Sequence, residues 1–485
     1  MSPTGTVTMA GPPLGTDLSA PRRAASSFAR PGWPLTALLV FFPLWWVLGL
    51  SALMPFLLAV PMVTHLLRRQ SVLVPPGFGL WVLFLLWVVA STVMLGYDPP
   101  GTLPAPVTGR LVSVAFNLAG YLSATVVLLY AVNLTEEEFP RRRLVRQLGA
   151  FFVTVVAGGL LGLLAPRFEF TSPVEMLLPE RVARDVFVQS LVHPAASQVQ
   201  DVLGFTTPRP SAPFGFTNMW GYAIALLVGW FVVGYLRGSV ARKLAGTAIL
   251  AASAFPIVYS LNRGLWLGLA IAAVIAVVRM AARGNVAAVG GLVVGVLAAG
   301  ALVLGTPLTG LVQERLDNGH SNDIRTFTTA RTIDAVSHSP VIGLGSTRAA
   351  MGSANSIAVG QESDCPRCGN PTLGSNGQLW AILIAHGVGG ALLFVGFFLK
   401  SLWVYRRDRT PIGDAGLLAI VLSLYFMFVY NALPMPLIIV FLSIALLWRN
   451  KQAQEEADSR LEGSSADGSA RSLPPGARLR PGPVR

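Results

Sequence analysis

Apolar residues in this chain come in long runs, and polar residues are largely confined to the gaps between them. A helix needs ~20 apolar residues to cross a hydrocarbon core. The pattern predicts about twelve such runs: 34–50, 51–67, 77–96, 111–133, 148–165, 219–236, 244–260, 264–282, 286–307, 378–399, 413–431 and 434–449. The first two are short and abut, so they read as a helical hairpin or as one broken helix; the broken helix would invert everything downstream. The predicted class is an all-α, polytopic transmembrane helical protein. Its largest extracytoplasmic loop, about 308–377, falls between spans nine and ten, and a second covers about 166–218.

Basic residues fall on alternate gaps. One set holds Arg68 and Arg69, Arg141–Arg143, Arg242 and Lys243, Arg279 and Arg283, Lys400 with Arg406 and Arg407, and Arg449 with Lys451. The short turns opposite hold almost none, apart from Arg263. The positive-inside bias then puts the basic turns and both termini in the cytoplasm. Residues 1–33 and 450–485, rich in Pro, Gly, Ser and charge, read as disordered cytoplasmic tails flanking a transmembrane domain at 34–449.

Composition narrows the class further. Hydrophobic residues make up 53% of 485 and charged ones 12%, which excludes an ordinary soluble globule. The net charge of +13 is dispersed beside apolar runs instead of forming one stripe, so it points to membrane orientation and not to nucleic acid. No P-loop or dinucleotide fingerprint is present, and no Asp-x-Asp pair lies in the external loops. The expected chemistry therefore uses no cofactor and no metal.

The two long loops hold the candidate chemistry. The first ends in a proline-rich approach with Arg209 outside and Asn218 at the mouth of span six; upstream, Val182–His193 has helical spacing suited to the membrane surface, with His193 in a packing role. Arg263, in the turn between spans seven and eight, opposes the orientation bias. A guanidinium there is costly unless paired or snorkelled, and its planar fork suits a diphosphate or a carboxylate. In the second loop, Thr326–Ser337 predicts an amphipathic helix carrying Arg331 and preceded by Arg325; Pro340, Gly343 and Gly345 predict a tight turn after His338. Cys365 and Cys368, the only cysteines, read as a short structural disulfide in an oxidising exterior. Ser375 and Asn376 form a polar pair just before span ten.

The order of these features resembles the O-antigen ligase and O-antigen polymerase superfamily of bacterial polytopic membrane glycosyltransferases, over roughly 30–450. Arg209 and Asn218 match its motif before span six, and Arg263 matches its Arg between spans seven and eight. Arg325 with Pro340, Gly343 and Gly345 matches the loop motif, and Gly387 and Gly390 match the glycines of span ten. The resemblance implies a glycan donor on a polyprenyl diphosphate, a lipid or glycan acceptor, and action at the outer face of the bacterial cytoplasmic (inner) membrane. Arg263, Arg325, Asn376 and His338 are the catalytic candidates; Arg209, Asn218, Arg331 and Ser375 are the substrate-binding ones. One departure stands out. Ligases of this family carry His-Asn before span ten, where this chain has Ser375-Asn376. That suits a polymerase or another branch better, and leaves the general base among His338, Asp323, Asp334 and Glu362. Two other classes remain open from sequence: a transporter or flippase of lipid-linked glycans, and a non-catalytic envelope protein. A transporter would be expected to place ionisable residues inside its helices, and these spans hold almost none.

Overall fold

A computed structural model describes residues 31–201, 206–305, 308–317, 320–352 and 370–471. Among these residues the chain is mostly helical. Six helices are long and apolar enough to cross a membrane: Val107–Asn133 (α5), Arg141–Leu164 (α6), Thr217–Tyr235 (α10), Val240–Tyr259 (α11), Arg263–Ala281 (α12) and Gln378–Tyr405 (α16). Shorter apolar helices accompany them: Met54–Leu67 (α3), Phe78–Ala90 (α4), Val286–Leu304 (α13) and Pro411–Phe426 (α17). A last helix, Met435–Arg471 (α18), is buried from Leu437 to Leu447 among α5, α10 and α17.

The twelve apolar runs are thus not twelve long helices, and local chemistry shows why. Run 34–50 becomes Trp33–Val40 (α1) and Phe42–Leu48 (α2), because Pro43 cannot donate to a preceding turn and crowds it. Gly49, at φ +77°, closes α2 by giving its N–H to Trp45 and Trp46. The start of α1 and the end of α3 then meet on one face. The Gly32 N–H bonds the Tyr130 hydroxyl at 2.9 Å, and His65 packs edge-on against the same ring at 5.3 Å. The first two runs therefore form a hairpin.

That face gathers basic turns through ion pairs. Arg69 meets Glu138, Arg141 and Arg449 share Glu136 at 2.9 Å each, and Arg279 and Arg283 share Asp414. Asn450 ties this network to Asp408 at 2.8 Å. Residues 450–471, expected as part of a disordered tail, instead continue α18 as helix. They extend a turn that is already formed, so no nucleation cost recurs, and Ala453, Glu455, Glu456 and Ala457 are good helix formers. Residues 1–30 and 472–485 lie outside the described residues.

The opposite face carries the long loops, which are not purely helical. Between the short helices Pro173–Leu177 (α7), Glu180–Ala183 (α8), Val186–Val192 (α9) and helix α10 sits an antiparallel hairpin, Ser197–Asp201 (β1) with Thr206–Pro210 (β2). The helix expected over 182–193 is split because Asp185 caps α9, accepting from Phe187 and Val188 at 2.9 and 3.1 Å. In the second loop, Leu308–Asp317 (α14) leads to His320–Ser337 (α15), longer than the stretch predicted from 326.

Helix α16 is broken inside. Gly387 sits at φ 63°, ψ −170°, and the turn after α15 fills the gap. The N–H groups of Leu344 and Gly345 bond the carbonyls of Ile384 and Ala385 at 2.9 and 2.7 Å; those of Val388 and Gly389 bond Pro340 and Val341 at 2.7 and 3.1 Å. The His386 carbonyl takes the Trp87 indole N–H at 2.9 Å. The polar groups freed by the break are thus met by protein, as an apolar setting requires. A Cβ on Gly387 would lie 2.4 Å from the Val341 carbonyl, and one on Gly343 2.4 Å from the Gly387 nitrogen. Only glycine fits at either position. Ser91 gives its one proton to the Val88 carbonyl at 2.8 Å, so His386 Nδ1, 2.7 Å away, is the donor of that pair.

Candidate functional site

The turn between α11 and α12 organises the long-loop face. Leu261 holds φ +52°, a region that is sterically costly for a residue with a Cβ. Successive carbonyls of this turn anchor two arginines from distant segments. Arg209 Nε donates to Ser260 O at 2.6 Å, and Arg315 Nε donates to Leu261 O at 3.0 Å. Arg263 opens α12 directly after the turn, and Asn262 caps that helix on the Leu265 N–H at 3.4 Å. A backbone conformation held against its preference, with two guanidiniums fixed to it, is the kind of feature that concentrates at functional sites.

The turn is braced from two sides. Asn262 Nδ2 donates to Asn218 Oδ1 at 3.3 Å, and its own Oδ1 accepts from Tyr430. The Tyr425 hydroxyl donates to Gly264 O at 3.1 Å. A Cβ on Gly264 would stand 2.5 Å from the Tyr430 oxygen, so glycine lets the aromatic pair close on the helix start. Arg209 reaches the turn because β2 places it opposite Gln198, whose side chain takes the Thr217 N–H at 3.1 Å and so ties the hairpin to α10.

Arg325 arrives on α15 and completes the group. Asn376 clamps that helix: its Nδ2 faces Arg325 O at 2.9 Å, Thr328 Oγ1 at 2.7 Å and Thr329 Oγ1 at 2.9 Å. Behind this turn Ala335, Leu344, Leu373 and Ile384 pack a small apolar core. The charges of the four arginines act on one another. Burial pushes the Arg209 guanidinium down to about 10, with Arg315 and Arg325 adding to the shift and Tyr430 opposing it. Burial likewise lowers Arg315 to about 10, helped by the positive charges of Arg263 and Arg325.

Arg209, Asn218, Arg263, Arg325 and Asn376 are therefore drawn into one place, and Arg315 and Tyr430 join them. Neither of those two carries a sequence signal, because Arg315 lies in an unremarkable polar helix and Tyr430 at the end of the apolar run 413–431. The other candidates make contacts of their own. His338 is exposed, with Nδ1 3.0 Å from the Asp334 carbonyl of its own helix, roughly 20 Å along the axis from Arg325 at about 1.5 Å per residue. Arg331 is exposed, lies over the Phe327 ring at 5.7 Å and approaches Asp334 at 3.9 Å. Ser375 is exposed and closes its own turn on Thr372 O at 2.7 Å. Cys365, Cys368 and Glu362 lie outside the described residues.

A second buried arginine pins the loop in place. Arg348 donates to the carbonyls of Tyr97 and Leu344 at 2.9 and 3.0 Å and pairs with Asp98 at 3.2 Å; Asp98 also holds Arg110. Its guanidinium is lowered to about 10, by burial first and the Arg110 charge second. The main loop is thus fastened to the α4–α5 connection through Arg348 and to α16 through the Pro340–Gly345 turn, which leaves α15 and Arg325 little freedom.

Fold and site together define a polytopic helical membrane protein with an arginine cluster on the face that carries its long loops. Residues 247–364 match the O-antigen ligase family, and this match supports the likeness to the O-antigen ligase superfamily. The matched stretch takes in Arg263, Arg315, Arg325 and the Pro340–Gly345 turn; Arg209, Asn376 and Gly387 lie outside it. No curated protein and no solved structure matches the chain.

Proposed function

We propose that this protein transfers or polymerises a glycan from a polyprenyl-diphosphate-linked donor at the outer face of the bacterial cytoplasmic membrane, in envelope or extracellular polysaccharide synthesis. The observation that carries the reading is the convergence of Arg209, Arg263, Arg315 and Arg325 on one turn. The ion-paired basic turns on the opposite face support the orientation, with both termini cytoplasmic. The match of residues 247–364 to the O-antigen ligase family supports glycan transfer as the class of reaction.

In this reaction an acceptor hydroxyl attacks the anomeric carbon in line with the departing diphosphate. The new C–O bond forms as the old one to phosphate breaks, and the hydroxyl proton passes to a base. Negative charge grows on the leaving diphosphate. Fixed guanidiniums at the start of α12, where the helix dipole also favours an anion, stabilise that charge most where water is excluded. Asn218, Asn376 and Tyr430 act by holding the arginine-bearing segments. Among the candidate bases, Asp323 is nearest to Arg325 along α15, two residues before it.

The test is transfer by purified protein in detergent, with a polyprenyl-diphosphate-linked glycan and no nucleotide or ion gradient. Product formation is expected. Movement of lipid-linked glycan across liposomes without any transfer would overturn the reading in favour of a transporter. A reporter fused within 350–370 that reads cytoplasmic would overturn the orientation.

A further inference from the structure

Beside the arginine site, and separated from it by the first turn of α10, lies a cavity of about 350 Å³. Phe42 and Trp46 of α2, Phe116 of α5, Phe187 of α9, and Phe214 and Met219 at the start of α10 line it. Of its three polar side chains, Ser51, Ser190 and His193, the last two are already engaged. Ser190 donates to Phe187 O at 2.6 Å, and His193 Nδ1 lies 2.8 Å from Glu175, itself part of the capping box of α7. The walls therefore present hydrocarbon, which suits neither a sugar nor a phosphate. A roughly 150 Å³ apolar cavity stays dry and takes up one benzene, so this one has room for a longer apolar guest.

Two observations identify the guest. Phe187 and Phe216, both part of the lining, are exposed apolar side chains, so this wall presents hydrocarbon outward as well. The same segment that forms one wall, Phe214–Met219, carries Asn218 toward Asn262 and Thr217 toward the Arg209 carbonyl. Leu433 and Met435 of another wall follow closely on Tyr430. A chain seated in the cavity would thus end beside the arginines.

We propose that this cavity binds the isoprene units of the lipid-linked donor nearest its diphosphate, with α9 as its cover. The assignment rests on the transferase reading for the identity of the chain, but not for the cavity's affinity for hydrocarbon. Its test fills the cavity from two sides with Ala52→Trp and Leu191→Trp in the full-length protein. Each is expected to raise KM for the donor about tenfold, the scale of losing roughly two buried methylenes, and to leave kcat within about twofold. Polyprenyl phosphate retained on the protein in native mass spectrometry should fall by a similar factor. Transfer that proceeds with unchanged KM and retention in both variants would sink the cavity assignment alone. Loss of retention in the variants, with no transfer even by wild type, would leave the cavity standing and remove the transferase reading. Displacement of the polyprenyl phosphate by equimolar phosphatidylglycerol would give the cavity to a bilayer lipid and overturn the donor assignment. Should either variant unfold, a diazirine-bearing polyprenyl phosphate on wild type decides: crosslinks within 42–52, 187–194 or 214–219 are expected, and crosslinks confined elsewhere overturn the proposal.

Discussion

The basic-turn face and the arginine cluster on the long-loop face use arginine differently. On the face of the basic turns, Arg69, Arg141, Arg279, Arg283 and Arg449 each meet a carboxylate, from Glu138, Glu136 or Asp414. On the face of the long loops Arg110 and Arg348 likewise share Asp98, while Arg209 and Arg315 are fixed to backbone carbonyls of one turn, and each feels the positive charge of other arginines. Such ion pairs hold helix ends together. Like charges forced close raise the free energy of the folded state, and an incoming anion relieves that. Arginine content alone therefore does not separate a structural face from a functional one; the charge of the neighbours does.

The strongest test of the contrast keeps the charge and removes the planar fork. Arg263→Lys and Arg325→Lys should each lower glycan transfer by roughly 10- to 150-fold, the rate equivalent of a lost charge-assisted contact of ~1.5–3 kcal/mol. Expression and membrane insertion should hold. Wild-type rates in both variants would dissolve the distinction between the faces. An anion probe sharpens it: inorganic pyrophosphate should raise the thermal midpoint of the wild-type protein, by about 2.7 kcal/mol of stability at a hundred times its Kd. Arg263→Lys should weaken that shift, and Asp414→Asn should not.

Asn376→Ala comes next, because it frees α15 without touching the guanidiniums. Loss of its contacts to Arg325 O and the two threonines, about 1 kcal/mol net per bond, should cut kcat by about tenfold and leave donor KM nearly unchanged. A fall in KM-dependent binding alone would mean that Asn376 contacts the donor. On the paired face effects should be smaller. Asp414→Asn leaves two partly exposed arginines without their acid and should cost about 1 kcal/mol or less, seen as a lower melting midpoint at unchanged activity.

The mildest expectation is a pH effect. Burial pushes the Glu138 carboxyl up, but the Thr135 N–H and Arg69 outweigh it and hold it below the ordinary range. A depressed carboxyl adds stability above its unfolded pKa and loses it as pH falls through the folded one. Acid titration should therefore loosen the α3–α5–α6 end, read by hydrogen exchange, and Glu138→Gln should flatten that response.

How much of this was legible in the chain differs from element to element. Helical character was legible because hydrocarbon leaves the backbone few options. The alternation of charge showed which turns share a face, and the ion-pair network joins several of them. Arg209, Arg263 and Arg325 were singled out through motif order, and the fold brings them near one another; the Pro340–Gly345 turn was legible from its residues. The β-hairpin was missed because two five-residue strands, the second holding Pro208 and Pro210, are too short to show alternation. The split of run 34–50 and the helix past 449 were missed because each depends on one local event, a proline or an already formed turn. His338 and Ser375 looked like chemistry on residue type, yet the fold leaves them exposed and bonded within their own segments.

The sequence by itself determined a mostly helical class with membrane-spanning helices and the residue types able to grip an anion, since transfer free energies and side-chain chemistry act locally. Only the tertiary structure decided that Arg315 belongs with Arg209, Arg263 and Arg325, that Asn376 serves by holding α15, and that α16 breaks at Gly387. Each depends on groups brought from distant segments: two carbonyls of a strained turn, the inner side of a loop helix, and N–H donors from a turn some forty residues away. Proximity of that kind is set by packing of the whole bundle, which no local pattern along the chain encodes.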